Sequence, residues 1–129
     1  MRCHTAALRA RWRCIVSEVL EKDFQRTVIE LAHTFGWRVA HFRTAMNARG
    51  AHMTPVAADG KGWPDLAMVN PETRKVMFVE LKSTTGKLSV EQAEWGAWLL
   101  GAGLDWQVWR PEHIQIITAT LSAGKAVAL

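Results

Sequence analysis

Apolar residues recur at helical spacing over the first third of the chain. They follow one another at steps of four, four, four, four and three residues, and they are Val16, Leu20, Phe24, Val28, Ala32 and Phe35. This period predicts a helix from about Cys14 to Phe35, with Gly36 as its C-terminal stop. Glu21 and Gln25 are four residues apart, so they share a helix face beside the apolar stripe.

The segment after this helix alternates in polarity and predicts a first strand at Trp37–Arg43. The alternation does not decide which face of the strand is buried. Either of two sets can point outward: Arg38, Ala40 and Phe42, or Trp37, Val39, His41 and Arg43.

Thr44–Trp63 has no regular period and is rich in glycine, proline and charged residues. A loop of this length in a small domain is usually functional or disordered. We interpret it as a substrate-facing loop, with a mobile surface loop as the alternative. The candidate phosphate contacts in and beside it, which could equally be solvated charges, are Arg43, Arg49 and Lys61.

Two short runs rich in β-forming residues, Leu66–Val69 and Lys75–Val79, are joined by Asn70–Arg74. An Asn-Pro turn signal between two such runs predicts a β-hairpin with its loop at Pro71–Arg74. If Asn70 pairs with Lys75, the numbers of paired residues sum to 145, and Asp65 lies opposite Glu80.

This register would bring two carboxylates and a lysine to the open end of the hairpin. Directly opposed residues have Cβ atoms about 4.5–5.5 Å apart on one face, and alternation places Lys82 on the face of Asp65 and Glu80. Opposed like charges destabilise a sheet, and a divalent cation such as Mg²⁺, which takes carboxylate oxygens, would offset the repulsion. The lysine could then orient or deprotonate a water, or stabilise charge on a phosphate. The alternative is a structural carboxylate pair with Lys82 as its counter-ion.

A second helix is predicted after the hairpin. Ser89 and Gln92 have the spacing of an N-terminal capping box, and Gly101–Gly103 supplies the C-terminal stop. Trp95 and Trp98 lie at helical spacing within this helix, which favours core positions over base stacking.

The remaining segments complete a mixed α/β pattern. Ser83–Leu88 is typical of a turn and contains Lys87, a further candidate phosphate contact. Asp105–Arg110 predicts a last strand, and Pro111 favours a short following helix, from His113 to Leu121. The whole order predicts a small mixed central sheet flanked by helices.

Length and composition are those of a single globular domain, with 129 residues, 49% hydrophobic and 22% charged. No apolar run approaches the ~18 residues of a membrane span, so we expect no membrane association. Cys3 and Cys14 lack metal-site spacing, and two cysteines do not suggest a disulfide scaffold. We therefore expect a cytoplasmic protein.

The formal net charge of +4 is concentrated at the N-terminus, because residues 1–17 contain four arginines and no acid. We divide the chain into a basic arm at residues 1–14, a domain at 15–122 and a tail at 123–129. A basic arm can contact a phosphate backbone. A poorly ordered terminus is the alternative interpretation.

Gly62-Trp63-Pro64-Asp65, followed fifteen residues on by Glu80-Leu81-Lys82, resembles the PD-(D/E)XK nuclease signature. The first stretch is similar to the GxPD variant of the VRR-NUC family. Flanking motifs at Glu21–Gln25 and Leu88–Gln92 agree in order, so the resemblance covers roughly Glu18 to Pro111. It implies a restriction-endonuclease-like fold with an αβββαβ core, and catalysis with Mg²⁺ or with Mn²⁺ as its substitute.

The resemblance also implies roles for individual residues. The metal ligands would be Asp65, Glu80, Glu21 and the backbone carbonyl of Leu81. Lys82 would activate or position the nucleophilic water, and Gln25 would support Glu21 and contact nucleic acid. Gln92 would lie near the scissile phosphate, which does not exclude a capping role. A solvated helix acid is the alternative for Glu21, and Glu18 is its competitor one turn earlier.

The resulting expectation is a metal-dependent endonuclease that cuts DNA with a preference for structure, as in phage or DNA-repair enzymes. Family analogy adds Holliday-junction or flap substrates and a homodimer. One alternative is a catalytically silent nucleic-acid-binding module. Another is a small restriction-type nuclease, although the chain looks too short for a separate recognition domain.

Overall fold

The described residues form six strands and three α-helices, which are interspersed along the chain as in other mixed α/β domains. The computed structural model describes residues 6–42, 45–46, 52–53 and 56–124, with side chains described in 21–42 and 56–124. In chain order the elements are α1 (Ala6–Thr34), β1 (Arg38–His41), β2 (Ala45–Met46), β3 (His52–Met53), β4 (Leu66–Asn70), β5 (Lys75–Leu81), α2 (Val90–Gly101), β6 (Asp105–Trp109), a 3₁₀ turn (Pro111–His113) and α3 (Ile114–Ser122).

Helix α1 begins at Ala6, earlier than the predicted start at Cys14. The intervening residues are mostly alanine, leucine and arginine, which favour a helix although they continue no clear apolar stripe. The helix ends as predicted, because Gly36 has a φ of 88° and Trp37 donates its N–H to the Ala32 carbonyl at 2.9 Å. This is the Schellman arrangement, in which glycine takes the left-handed position after the last turn.

The central sheet has the strand order β1-β4-β5-β6. Strands β1 and β5 are antiparallel to β4, whereas β6 is parallel to β5. The predicted hairpin register is confirmed, because Asn70 pairs with Lys75 and Leu66 with Val79. The predicted restriction-endonuclease-like α/β fold is therefore also confirmed.

A buried asparagine fixes the hairpin turn. The Asn70 side chain accepts hydrogen bonds from the backbone N–H groups of Glu72 and Thr73, at 3.0 and 3.3 Å. Its amide nitrogen donates to the carbonyl of Phe35 at 3.1 Å, which ties the turn to the end of α1. These contacts satisfy the polar atoms of a fully buried side chain and hold the register.

The hydrophobic core lies between one face of the sheet and helices α1 and α3. The core residues on the strands include Leu66, Met68, Met77 and Val79, and those on the helices are Phe24, Val28, Ala32, Ile117 and Leu121. The described members of the predicted stripe therefore face the core. The open question for the first strand is also resolved, since Val39 packs against the core while Arg38 and Ala40 are exposed.

Helix α2 covers the opposite face of the sheet over β5 and β6. A Cβ on Gly96 would lie 2.5 Å from a ring atom of Trp106, so only glycine allows this close approach. The capping box predicted for this helix is confirmed, because the Ser89 side chain accepts from the Gln92 N–H and the Gln92 side chain accepts from the Ser89 N–H.

Two elements depart from the predicted pattern. Strands β2 and β3 form a separate antiparallel pair within the segment predicted as a loop. Strands of two residues are too short to show an alternating pattern. At the C-terminus, a 3₁₀ turn precedes α3, whose bounds differ by one residue at each end from the predicted helix. Among the described residues, no helix is both long and apolar enough to span a membrane.

Candidate active site at the open end of the hairpin

Asp65 and Glu80 meet where the β4–β5 ladder ends. Asp65 directly precedes the last paired residue of β4, and Glu80 directly follows that residue's partner in β5. The Asp65 carboxylate accepts the backbone N–H of Leu81 at 2.8 Å. The Asp65 carbonyl accepts the N–H of Phe42 at 2.8 Å, which extends the contact with β1. The structure thus brings together the two acids that the hairpin register predicted.

Glu80 is nearly inaccessible to solvent, with only 1% of its surface exposed. Burial and the adjacent Asp65 carboxyl together raise the pKa of Glu80 from its ordinary value of 4.5 to about 9, against an opposing effect of Lys82. Its Oε2 atom has no hydrogen-bond donor among the described residues. The neighbouring Asp65 carboxyl can share a hydrogen bond with this atom only if one of the two acids is protonated.

These features fit a hard divalent cation. A buried carboxylate oxygen without a donor, beside a second carboxyl, offers the oxygen ligands that Mg²⁺ takes. Within the described side chains, no group of three or more His, Cys, Asp or Glu residues could hold a metal ion. Further ligands would therefore come from backbone carbonyls, water or phosphate.

Lys82 lines a small cavity of about 180 Å³. The lining residues are Glu21, Phe24, Gln25, Leu81, Lys82, Ser83 and Gly86. The structure thus places Glu21 and Lys82 on the same cavity. The proposed metal-binding role of Glu21 stays a prediction.

Gln25 connects the two sides of the site. It lines the Lys82 cavity and also a larger cavity of about 690 Å³ that Asp65 enters. The larger cavity lies between α1 and the end of β1, with Ile29 and Phe42 as apolar walls. A single helical residue therefore borders both the lysine and the carboxylate side.

Gln92 has its predicted capping role and a second contact that the sequence did not predict. Its Oε1 accepts the Ser89 backbone N–H at 2.9 Å, and its Nε2 donates to Glu80 Oε1 at 3.0 Å. The residue therefore caps α2 and also donates a hydrogen bond to one oxygen of the buried acid. Its proximity to a scissile phosphate stays a prediction.

The comparisons with known proteins agree with this geometry. The family model of the VRR-NUC domain matches residues 47–111, which is half of the chain. The chain belongs to the VRR-NUC family. It is therefore a nuclease-type, DNA-processing domain. Neither the search of curated proteins nor that of solved structures gave a match. The matched segment contains Asp65, Glu80, Lys82 and Gln92, whereas helix α1 lies outside it.

The first residues of the VRR-NUC motif also have a structural role. Gly62 has a φ of 87°, and a Cβ there would collide with the backbone of Glu91 in α2. Trp63 makes edge-to-face contacts with Phe42, Phe78 and Trp95 at ring distances of 5.9, 5.6 and 5.0 Å. These residues attach the strand that carries Asp65 to the helix that carries Gln92.

The two tryptophans of α2 differ in environment. Trp95 donates its indole N–H to the carbonyls of Asp59 and Lys61, both at 3.1 Å, and fixes the loop before the motif. Trp98 is 56% exposed, so its predicted core position is wrong. Trp63, Trp95 and Trp98 form an aromatic row with edge-to-face contacts. Trp98 lies at the outer end of this row, 5.3 Å from Trp95, and no further element covers it within the described residues.

The predicted nucleic-acid contacts of this VRR-NUC domain are placed only in part. Lys61 is exposed and forms a 3.1 Å ion pair with Glu91, whose pKa is lowered by a backbone hydrogen bond and then by this lysine. Lys87 is exposed on the loop before α2. Arg43 and Arg49 lie outside the described residues.

Proposed function

We propose that this VRR-NUC domain is a Mg²⁺-dependent endonuclease, active also with Mn²⁺, that hydrolyses phosphodiester bonds in DNA. The observation that carries the proposal is the environment of Glu80. This acid is buried, raised in pKa and paired with Asp65, while one of its oxygens has no donor within the described chain. A bound cation would remove the cost of this arrangement, which a purely structural pair would retain.

Each residue of the site has a defined part in this proposal. Asp65 and Glu80 would hold the ion with the Leu81 carbonyl, while Gln92 would keep Glu80 oriented. A bound divalent ion supplies charge neutralisation at the phosphate and lowers the pKa of a coordinated water. Lys82, on its own cavity beside β5, would orient the attacking water or stabilise the charge that develops on the phosphate.

The roles of the α1 residues are a separate part of the proposal. Glu21 and Gln25 border the Lys82 cavity. From that position Glu21 would order water beside the lysine or bind a second ion. The volume of about 180 Å³ corresponds to several water molecules at roughly 30 Å³ each, which suits a hydrated site.

Preference for branched DNA and the homodimer come from the family resemblance. Holliday junctions and flaps are therefore the first substrates to test. A catalytically silent binding module and a restriction-type nuclease are the competing outcomes.

The decisive experiment compares cleavage of labelled duplex, flap and four-way-junction DNA with Mg²⁺, Mn²⁺ or EDTA. Wild-type protein is compared with Lys82→Ala and with the matched control Lys75→Ala, whose lysine begins the same strand at the opposite end of the hairpin. We expect metal-dependent cutting that Lys82→Ala lowers to a small residual rate and Lys75→Ala retains. Tight DNA binding without cutting in any metal would instead identify a binding module.

A further inference from the structure

Arg110 holds the loop that follows Lys82. Its Nη1 atom donates to the carbonyls of Ser83 and Gly86, each at 2.6 Å. One guanidinium nitrogen carries two protons, so each carbonyl can receive its own hydrogen bond. Bonds from a charged donor are shorter and stronger than neutral ones.

This contact lies directly beside the lysine. The Lys82 N–H donates to the carbonyl of Trp109, the residue before Arg110, at 2.9 Å. The end of β6 therefore holds the backbone of Lys82, and the side chain of the residue that follows β6 holds the loop after it. Two adjacent residues thereby hold the lysine backbone and the loop that follows it.

The loop also lines the cavity of the lysine. Ser83 and Gly86 line the 180 Å³ cavity together with Lys82. A Cβ added to Gly86 would lie 3.6 Å from Lys82 Cδ and 2.9 Å from Ser83 Oγ. The lysine stem thus lies within one methyl group's reach of the Gly86 backbone, so the position of the loop limits the space that the lysine can occupy.

Arg110 forms no ion pair in the described part of the chain, where the ion pairs are Arg26–Asp23 and Lys61–Glu91, although its charge also acts on the carboxylate of Glu112. Its described hydrogen bonds go to the two loop carbonyls. We propose that Arg110 is a positioning residue that sets the place of Lys82 for DNA cleavage. The inference rests on the proposed nuclease function and adds to it a residue that acts through the lysine.

The first test measures single-turnover cleavage of the DNA that the wild type cuts, alongside DNA binding in EDTA. Arg110→Met is expected to slow cleavage at least tenfold while changing the Kd less than twofold. Arg110→Lys, whose ammonium can still donate to both carbonyls, should recover most of the rate. Arg38→Met is the matched control, because it removes an exposed arginine at the start of β1, where that strand pairs with Val69 and not with the Asp65 end of β4.

A double-mutant comparison separates positioning from a general loss of structure. In a Lys82→Ala background, Arg110→Met should lower the residual rate less than twofold. An equal loss in both backgrounds, or a wild-type rate in Arg110→Met, would overturn the inference. If Arg110→Met fails to fold, Arg110→Gln is used instead. Glutamine keeps a polar side chain with an N–H donor, but that side chain is shorter than the arginine side chain.

A second readout does not depend on activity. Amine labelling followed by mass spectrometry gives the reactivity of Lys82 relative to Lys75 in the same molecule. Arg110→Met should raise this ratio at least threefold, and Arg110→Lys should restore it. An unchanged ratio contradicts the inference, whether or not the wild type cuts DNA. Absence of DNA cleavage by the wild type would count against the proposed function alone.

Discussion

The amide of Gln92 is bound at both ends: Nε2 donates to Glu80 Oε1 at 3.0 Å, and Oε1 accepts the Ser89 N–H at 2.9 Å. Because the backbone N–H of Ser89 can only donate, it fixes the amide oxygen on its own side and turns the NH₂ group towards the acid. The start of α2 and the buried carboxylate are therefore one connected unit. The helix cap and the candidate metal site depend on the same side chain.

Ser89→Ala and Gln92→Leu separate these two roles. Ser89→Ala removes the hydroxyl cap and should lower the unfolding free energy by about 0.5–2 kcal/mol, with cleavage per folded molecule unchanged. Gln92→Leu also leaves buried Glu80 Oε1 without its donor, which adds about 1–3 kcal/mol, and it should slow cleavage. Urea unfolding and cleavage assays on both variants measure the difference. Equal effects on cleavage would assign Gln92 to capping alone.

Glu80 should make the metal-free protein less stable as pH rises. Its pKa is about 9 in the folded protein against an ordinary 4.5, so between these values the folded state binds one more proton than the unfolded state. Stability present below the lower value is therefore lost as pH rises, by up to about 1.4 kcal/mol per pH unit. Urea unfolding in EDTA between about pH 5 and 9 measures this slope.

The control for the pH prediction is Glu80→Gln, which cannot titrate and should flatten the profile. Mg²⁺ should restore stability to the wild type at about pH 8, because a cation neutralises the ionised pair, and should do so much less for Glu80→Gln. Superimposable profiles for the two proteins would show that Glu80 titrates normally and would remove the main support for the metal site.

The Asp65–Glu80 pair could be predicted from the sequence because a local turn signal sets the register of the hairpin. The Asn-Pro turn determines which residues of β4 and β5 face each other, and the same arithmetic then fixes Asp65 opposite Glu80. The burial of Glu80 could not be predicted in this way. It arises because α2 covers that face of the sheet, and the period of a strand does not reveal which element will cover it.

Arg110 shows the same limit for positioning residues. Its two partners lie 27 and 24 positions earlier in the chain, and no local pattern links an arginine after a strand to carbonyls in a distant turn. The predicted core position of Trp98 was wrong because helical spacing alone does not distinguish the inner from the outer end of an aromatic row. Both cases depend on how β6 and α2 dock against β5.

Gly62 should tolerate no side chain, although it is not itself a chemical group of the site. Gly62→Ala would place a Cβ against the Glu91 backbone at a φ of 87°, which should cost roughly 1–3 kcal/mol. It should also slow cleavage, because Gly62 lies between Asp65 and the first turn of α2. Thermal unfolding and a cleavage assay test both effects.

The matched control for Gly62 is Gly101→Ala at the end of α2, where an added Cβ meets nothing within 4 Å. This change should leave stability unchanged or raise it by up to about 1 kcal/mol, as expected for alanine replacing glycine in a helix. A Gly62→Ala protein as stable as Gly101→Ala would show that the loop before Asp65 can move away from α2.

The arginines near the N-terminus should contribute to DNA affinity without contacting the scissile bond. Because α1 begins at Ala6, Arg9, Arg11 and Arg13 lie roughly 18–24 Å along the helix axis from Gln25, at about 1.5 Å per residue. At that distance they would meet phosphates that flank the cleavage site. Replacing all three by glutamine, a good helix former, removes their charge without deleting the helix.

The salt dependence of DNA binding by this triple variant decides the role of the arm. Each lost phosphate contact should flatten the plot of log K against log salt concentration by about 0.9, while the single-turnover cleavage rate at saturating protein should stay within twofold of the wild type. Lys75→Gln removes one charge from the far end of the hairpin and should leave the slope unchanged. A slope equal to that of the wild type in the triple variant would mean that the arm does not contact DNA, and the positive charge of the first residues would then serve no part of the proposed reaction.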